Sequence, residues 1–302
     1  MYNIAVIHSY ETLTWTTKQL LKAVEKYGGK PIYLTWNHIL LRTGRDIDRE
    51  DYLEVRNKKL LLDAVVVRSL GRSISPEQFI SRLSILQVME SNNVFVVNPS
   101  LSLLKARNKF LSLNILRMKH IPVPETSLTE NPSIALQLVD KSAKPLVVKP
   151  IIGSLGLGLF RVDDVDTAYH VINLLSRLKQ PIVLQRYIEK KDSRDIRVLV
   201  IDQEIVGAMY RYAPESTWKT NIARGAKPVK AEITENIRRI ALKATESLGL
   251  FYAGIDIAEE ARTENVYVLE VNASPLWRGL QRVTQVNIAN ILVEKIIKYL
   301  KR

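Results

Sequence analysis

The sequence predicts a chain of mixed α/β and α+β class: a three-layer α/β domain over residues 1–98, then an α+β fold in two sublobes, 99–189 and 190–302. Three observations predict it. Short β-branched runs alternate with amphipathic helical stretches as far as Phe95-Val96-Val97, the pattern of β-α-β units on a mostly parallel sheet. After Asn98-Pro99-Ser100 the pattern changes to a long helical stretch and then to paired short strands. Finally, 302 residues, 46% of them hydrophobic, can bury a full core in two or three lobes.

Taken in order, NIAVIH (3–8) reads as a strand and 13–27 as an amphipathic helix closed by Gly28-Gly29. PIYLTW and DAVVVRSL follow as strands, then SPEQFISRLSILQVMESN as a helix and VFVVNP as a strand. The polar stretch TGRDIDREDYLEVRNKK is expected to be a loop or hairpin. Residues 100–120 form one helix or a helix pair, with IPVPET as an extended exit. PLVVKP (145–150) and GLFRV (158–162) flank a glycine-rich bridge, followed by a helix near 163–178 and the strand PIVLQRYIE. DIRVLVIDQEIVGAMYRYA is two strands joined at Asp202-Gln203. A helix near 232–248, the strands FYAGIDIAEE and VYVLEVNASP, and a final helix near 285–301 complete the chain.

Composition narrows the function classes. No apolar run approaches the roughly 18 residues of a membrane span, and the N-terminus lacks the features of a secretory signal. The absence of cysteine excludes disulfides and thiol catalysis, and fits a cytoplasmic protein. The four histidines are scattered, with no metal-binding spacing. A net charge of +13 favours anionic partners, although a solvated basic surface explains it equally well. The basic residues are spread along the chain without a nucleic-acid motif, which disfavours nucleic acid as a partner.

Three segments could carry chemistry. KPIIGSLGLGLF contains Gly153, Gly156 and Gly158 with Ser154, and strands flank it on both sides. A dinucleotide fingerprint would have to open a helix, and a Walker loop would have to end in Gly-Lys-Ser/Thr, so neither applies. A flexible hairpin remains, either plain or a lid whose N–H groups cover phosphates above Lys149. In VLEVN alternation puts Glu270 and Asn272 on one side and Leu269 with Val271 on the other, in GIDIA it sets Asp256 opposite Ile255 and Ile257, and if the two strands pair the three polar side chains converge on one side of the sheet. Two carboxylates and an amide are hard oxygen donors suited to Mg²⁺, or else an exposed strand face. DIRV places Arg197 opposite Ile196 and Val198. WKTNIARGAKP offers Lys219, Asn221, Arg224 and Lys227, either to hold a phosphate and a carboxylate or simply as a basic loop.

In their order and spacing, KP–GSLGLG, QRYIE, DIRV, NIARG, GIDI and EVNASP resemble the ATP-grasp ligases of the RimK-like branch. The resemblance covers residues 100–302, and 1–98 is similar to the pre-ATP-grasp domain that precedes them. It implies ATP-dependent joining of a substrate carboxylate to an amino acid, often L-glutamate, through an acyl-phosphate. It also implies Mg²⁺ (two ions, with Mn²⁺ as a substitute) and a dimer or tetramer. By the family pattern Lys109 and Lys149 contact ATP phosphates, Gly153, Ser154, Gly156 and Gly158 form the lid, and Gln185, Arg186, Tyr187 and Ile188 hold adenine. Asp256, Glu270 and Asn272 match the metal ligands, and Arg197, Asn221 and Arg224 the groups that steady the transferring phosphate.

The chain departs from many relatives after Asn272. SPLWRGLQRVT lacks their glycine-rich acidic stretch, so Arg278 and Arg282 either receive an anionic substrate or lie in solvent while Trp277 packs. WKTNIARGAKP and the NASPxWxGL run are most similar to archaeal ligases that add glutamate to a pterin or deazaflavin cofactor (tetrahydromethanopterin or F420). Modification of an acidic carrier protein or of a ribosomal protein stays open. From other classes, a nucleic-acid-binding module and a non-catalytic nucleotide sensor also stay open.

Overall fold

The computed structural model describes residues 1–302 apart from 45–46, 49–51, 73 and 154–155. The first lobe runs β1 (Asn3–His8), α1 (Trp15–Lys26), β2 (Lys30–Thr35), β3 (Ile39–Leu41), β4 (Leu53–Val55), β5 (Lys58–Lys59), β6 (Ala64–Val67), α2 (Pro76–Ser91) and β7 (Phe95–Val97). Its main sheet has the order β2-β1-β6-β7 and is parallel throughout, as the β-α-β pattern requires. Thr14 caps α1. Ser75 and Gln78 form a capping box at α2, with Pro76 in the first turn. Within the polar 43–59 stretch lie β4 and β5, which form a small antiparallel sheet with the preceding β3.

The helical stretch that follows is a pair, α3 (Ser100–Arg107) and α4 (Lys109–Met118). It breaks at Asn108, whose side chain turns back to cap α4 at Leu111 N. Next come β8 (Thr126–Thr129), α5 (Pro132–Lys141), β9 (Leu146–Lys149), β10 (Phe160–Val162), α6 (Val165–Arg177) and β11 (Ile182–Arg186). They form an antiparallel sheet, β10-β9-β11-β8, under the apolar faces of α5 and α6. The third layer is β12 (Arg194–Ile201), β13 (Glu204–Tyr212), β14 (Lys227–Lys230), α7 (Glu235–Ser247), β15 (Tyr252–Glu259) and β16 (Val266–Asn272). Its sheet order is β14-β13-β12-β15-β16, and α8 (Arg278–Thr284) and α9 (Ile288–Leu300) close the chain. Asp202 and Gln203 both have positive φ, 49° and 58°, the primed turn that a two-residue hairpin favours.

One face of the third sheet buries Ile196, Val198, Ile255, Ile257 and Val268 against α7. The other face is split along its length. Leu199, Ile201 and Tyr252 pack beneath α9, which also packs on α1 and so joins the first and third sheets in one core. Asp195, Arg197 and Asp256, on the same face, form the floor of the site. Asn98 is fully buried where the first lobe ends. Its amide donates to the carbonyls of Tyr252 and Ala273, and its oxygen accepts from the N–H groups of Phe251 and Tyr252. Among the described residues no helix is long and apolar enough to cross a membrane.

Candidate active site

A cleft lies between the second and third sheets, and strand register builds its floor. Asp256 pairs with Glu270 and Gly254 with Asn272. Paired residues of antiparallel strands share a face, so the three oxygen-bearing side chains meet, with Asn272 Nδ2 3.4 Å from Asp256 Oδ2. The alternation expected of Leu269 does not hold. A β-bulge pairs Ile257 with Val268, which leaves Leu269 as the extra residue. Val268 and Val271 enter the core, and Leu269 joins Glu270 on the cleft wall.

Basic side chains compensate this acidity. Arg197 Nη2 donates to Asp256 Oδ2 at 3.0 Å, and its Nε lies 2.5 Å from Oδ1. Arg211 makes a bidentate pair with Asp195, both bonds 2.7 Å, and stands 2.9 Å from Asp256 Oδ1. Lys190 donates to Thr220 at 2.8 Å, and Thr220 donates to Asp195. Lys109, the first residue of α4, reaches Glu270 Oε1 at 3.1 Å and the Gly153 carbonyl at 2.7 Å. Lys149, at the end of β9, donates to Gln185 Oε1 at 2.5 Å.

Burial and neighbours set the charges. Burial presses the Lys149 ammonium down to about 8, against the opposing pull of Glu270. Burial would raise Glu270, but Lys109 and Lys149 hold it below the usual carboxylate range. Burial pushes the Asp256 carboxyl up, partly offset by Arg197 and Arg211. Arg211 is held firmly in its charged form: burial opposes the charge, and Asp195 and Asp256 outweigh it.

The donor set fits Mg²⁺. Asp256 Oδ1 is buried and, despite two guanidiniums nearby, no donor is aligned on it as a hydrogen bond. Among the described residues no three acidic or histidine side chains form a metal cage. Two carboxylates and one amide suit an ion that shares its remaining positions with nucleotide phosphates.

Lys149, Gln185, Arg186, Tyr187, Ile188, Asn221, Asp256 and Glu270 line one cleft, and Lys109, Arg197 and Asn272 touch its floor through the contacts above. The Arg186 side chain turns away to Glu260 at 2.7 Å, so this strand can meet a ligand mainly through its backbone. In the glycine-rich hairpin Gly156 and Gly158 have φ of 68° and 69°, a left-handed backbone that glycine adopts at the least cost. The Gly156 carbonyl accepts from Lys219 at 3.3 Å, and Gly158 stands against Pro150. Ser154 lies outside the described residues. Arg224, Arg278 and Arg282 are not brought into the cleft. Arg224 is exposed in the turn after Asn221, and the other two are exposed on α8. Trp277 takes the buried position there, under the Arg68 guanidinium at 4.4 Å, and Arg278 lies over the Trp15 ring at 5.6 Å.

Sequence reasoning missed Lys190, Asp195, Arg211, Thr220 and Leu269. Counting outward from Asp202-Gln203 puts Tyr210 opposite Asp195. A bulge at Leu199/Val200 shifts the register by one and puts Arg211 there instead.

The RimK-like ATP-grasp domain family matches residues 106–296. Over 287 residues the chain is 37% identical to the tetrahydromethanopterin:alpha-L-glutamate ligase of Methanocaldococcus jannaschii, covering 93% of this chain and 94% of that one. It is 32% identical over 296 residues to the protein of that name from Methanococcus maripaludis, covering 96% and 97%. The ATP-grasp ligase PsnB, solved with a phosphomimetic variant of its minimal precursor, Mg and ADP, shares the fold. The TM-score is 0.77, with 21% identity and 98% of each chain covered.

Proposed function

This chain belongs to the RimK-like ATP-grasp family and is an ATP-dependent carboxylate–amine ligase, and on that premise we propose that it adds L-glutamate to a carboxylate of a tetrahydromethanopterin-type cofactor. The observation that carries the reading is end-to-end similarity to a ligase of that name, together with a cleft that gathers Lys109, Lys149, Asp256, Glu270 and Asn272. The same reading assigns the protein to the cytoplasm and has it act as a dimer or tetramer.

The acceptor carboxylate attacks the γ-phosphorus of ATP and ADP leaves, giving an acyl-phosphate. The glutamate amine then attacks the acyl carbon and phosphate leaves with its electron pair. No protein nucleophile is needed, so the residues act by alignment and charge. Lys109 and Lys149 bind phosphate oxygens, Gly153, Gly156 and Gly158 cover them, and the backbone of 185–188 receives the adenine. Asp256, Glu270 and Asn272 would hold one or two Mg²⁺, with Mn²⁺ as a substitute, and the metal would neutralise charge on the transferring phosphoryl group. Arg197 and Asn221 steady that group, while Arg224, Arg278 and Arg282 stand exposed outside the cleft and have no part in this step.

The test is ADP release with ATP, Mg²⁺, L-glutamate and tetrahydromethanopterin, with mass analysis of the product. A mass gain of one glutamyl unit is expected. ADP release with an acidic carrier peptide, and none with the pterin, would replace this substrate with the other.

A further inference from the structure

In the first sheet the chain leaves β1 in one direction towards β2, and leaves β6 in the opposite direction towards β7. Ligands of open parallel sheets bind beyond the carboxyl ends of the strands at such a reversal. The loop after β6 is held open there from three sides. Trp36 Nε1 donates to the Ser69 carbonyl at 2.8 Å, Arg82 to Leu70 at 2.8 Å and Arg107 to Gly71 at 2.6 Å. Ser69 Oγ accepts from Ser9 of the facing loop at 2.8 Å.

Among the described residues Arg82 and Arg107 have no matching negative charge. Among the described residues no carboxylate pairs with either of them, or with the buried Arg68 beneath the loop. The one acid of the facing loop, Glu11, is occupied with Asn37 and His38. A guanidinium carries five N–H groups, and one loop carbonyl satisfies a single nitrogen of each. Arg107 Nε is buried without a partner. Burial and the neighbouring Arg82 both disfavour charge on Arg107, a tension that an anion would relieve. Rings support both guanidiniums, Trp36 under Arg82 at 5.5 Å and Phe79 under Arg107 at 5.2 Å, which fixes the fork for bidentate recognition.

The position suits the ligase reaction. Arg107 is two residues from Lys109, and Ser274, just past the metal strand, donates to the Val67 carbonyl at 2.8 Å. We propose that Arg82 and Arg107 form an oxyanion site that holds a second carboxylate or phosphate of the acceptor. This rests on the ligase reading above.

The test titrates glutarate and, separately, inorganic phosphate into the full chain with its nucleotide site saturated with ADP and Mg²⁺, read by ligand-observed NMR. Saturable binding is expected, weakened about 10-fold or more in Arg82→Gln and in Arg107→Gln while ADP affinity is unchanged. Arg107→Lys should restore part of it. Loss confined to glutarate identifies a carboxylate arm, and loss confined to phosphate a phosphate arm; either supports the site. Absence of saturable binding, or equal binding to wild type and both variants, would overturn it. Failure of the wild type to bind ADP would count against the ligase reading, while the probe titrations would still decide the anion site.

Discussion

The two walls of the cleft are built differently. The third-sheet wall carries Asp195, Arg197, Arg211 and Asp256, all buried, each charge answered by another. The second-sheet wall offers Lys149, held by an amide, and a glycine hairpin that touches the opposite wall through Lys219. The difference assigns the work. On the ligase reading proposed above, negative charge for a cation is fixed in a charge-paired lattice, and positive charge for phosphates sits where a nucleotide can exchange its partners.

The sharpest way to break this contrast is to remove the metal face. We predict that Glu270→Ala with Asn272→Ala lowers turnover by at least about 10³-fold, with circular dichroism unchanged. Near-normal turnover would defeat the assignment. Arg211→Gln should destabilise the fold by about 3–5 kcal/mol, because it leaves two buried carboxylates short of a partner. Urea titration reads this, and a change below about 0.5 kcal/mol would show that the lattice is not rigid. On the other wall, Lys149→Ala should weaken nucleotide binding by roughly 10–100-fold and spare the melting temperature. Gly156→Ala must place a Cβ at φ +68° beside Asn221, and should cost ~1–2 kcal/mol locally and slow turnover more than it shifts stability. The smallest effect belongs to the exposed Arg161–Asp163 pair, where Asp163→Ala should change stability by less than about 1 kcal/mol.

Much of this was legible in the sequence because the signals were local. Gly28-Gly29 marks a helix end, Asp202-Gln203 marks a hairpin, and Asp256 between two buried isoleucines declares its face. Part of what stayed hidden depended on registers that slip. The extra residues at Leu269 and Val206 move a side chain from core to cleft and bring Arg211, rather than Tyr210, to Asp195. The α8 helix was missed because Trp277, not a helical stripe, anchors it. Arg278 and Arg282 accordingly lie outside the cleft.

Asn98 has a mechanical consequence. Sliding the first lobe against the third sheet would break four buried hydrogen bonds of one amide at once. Those two layers are therefore pinned to each other, and anything seated in the first lobe is held at a set distance from the carboxylates of β15 and β16.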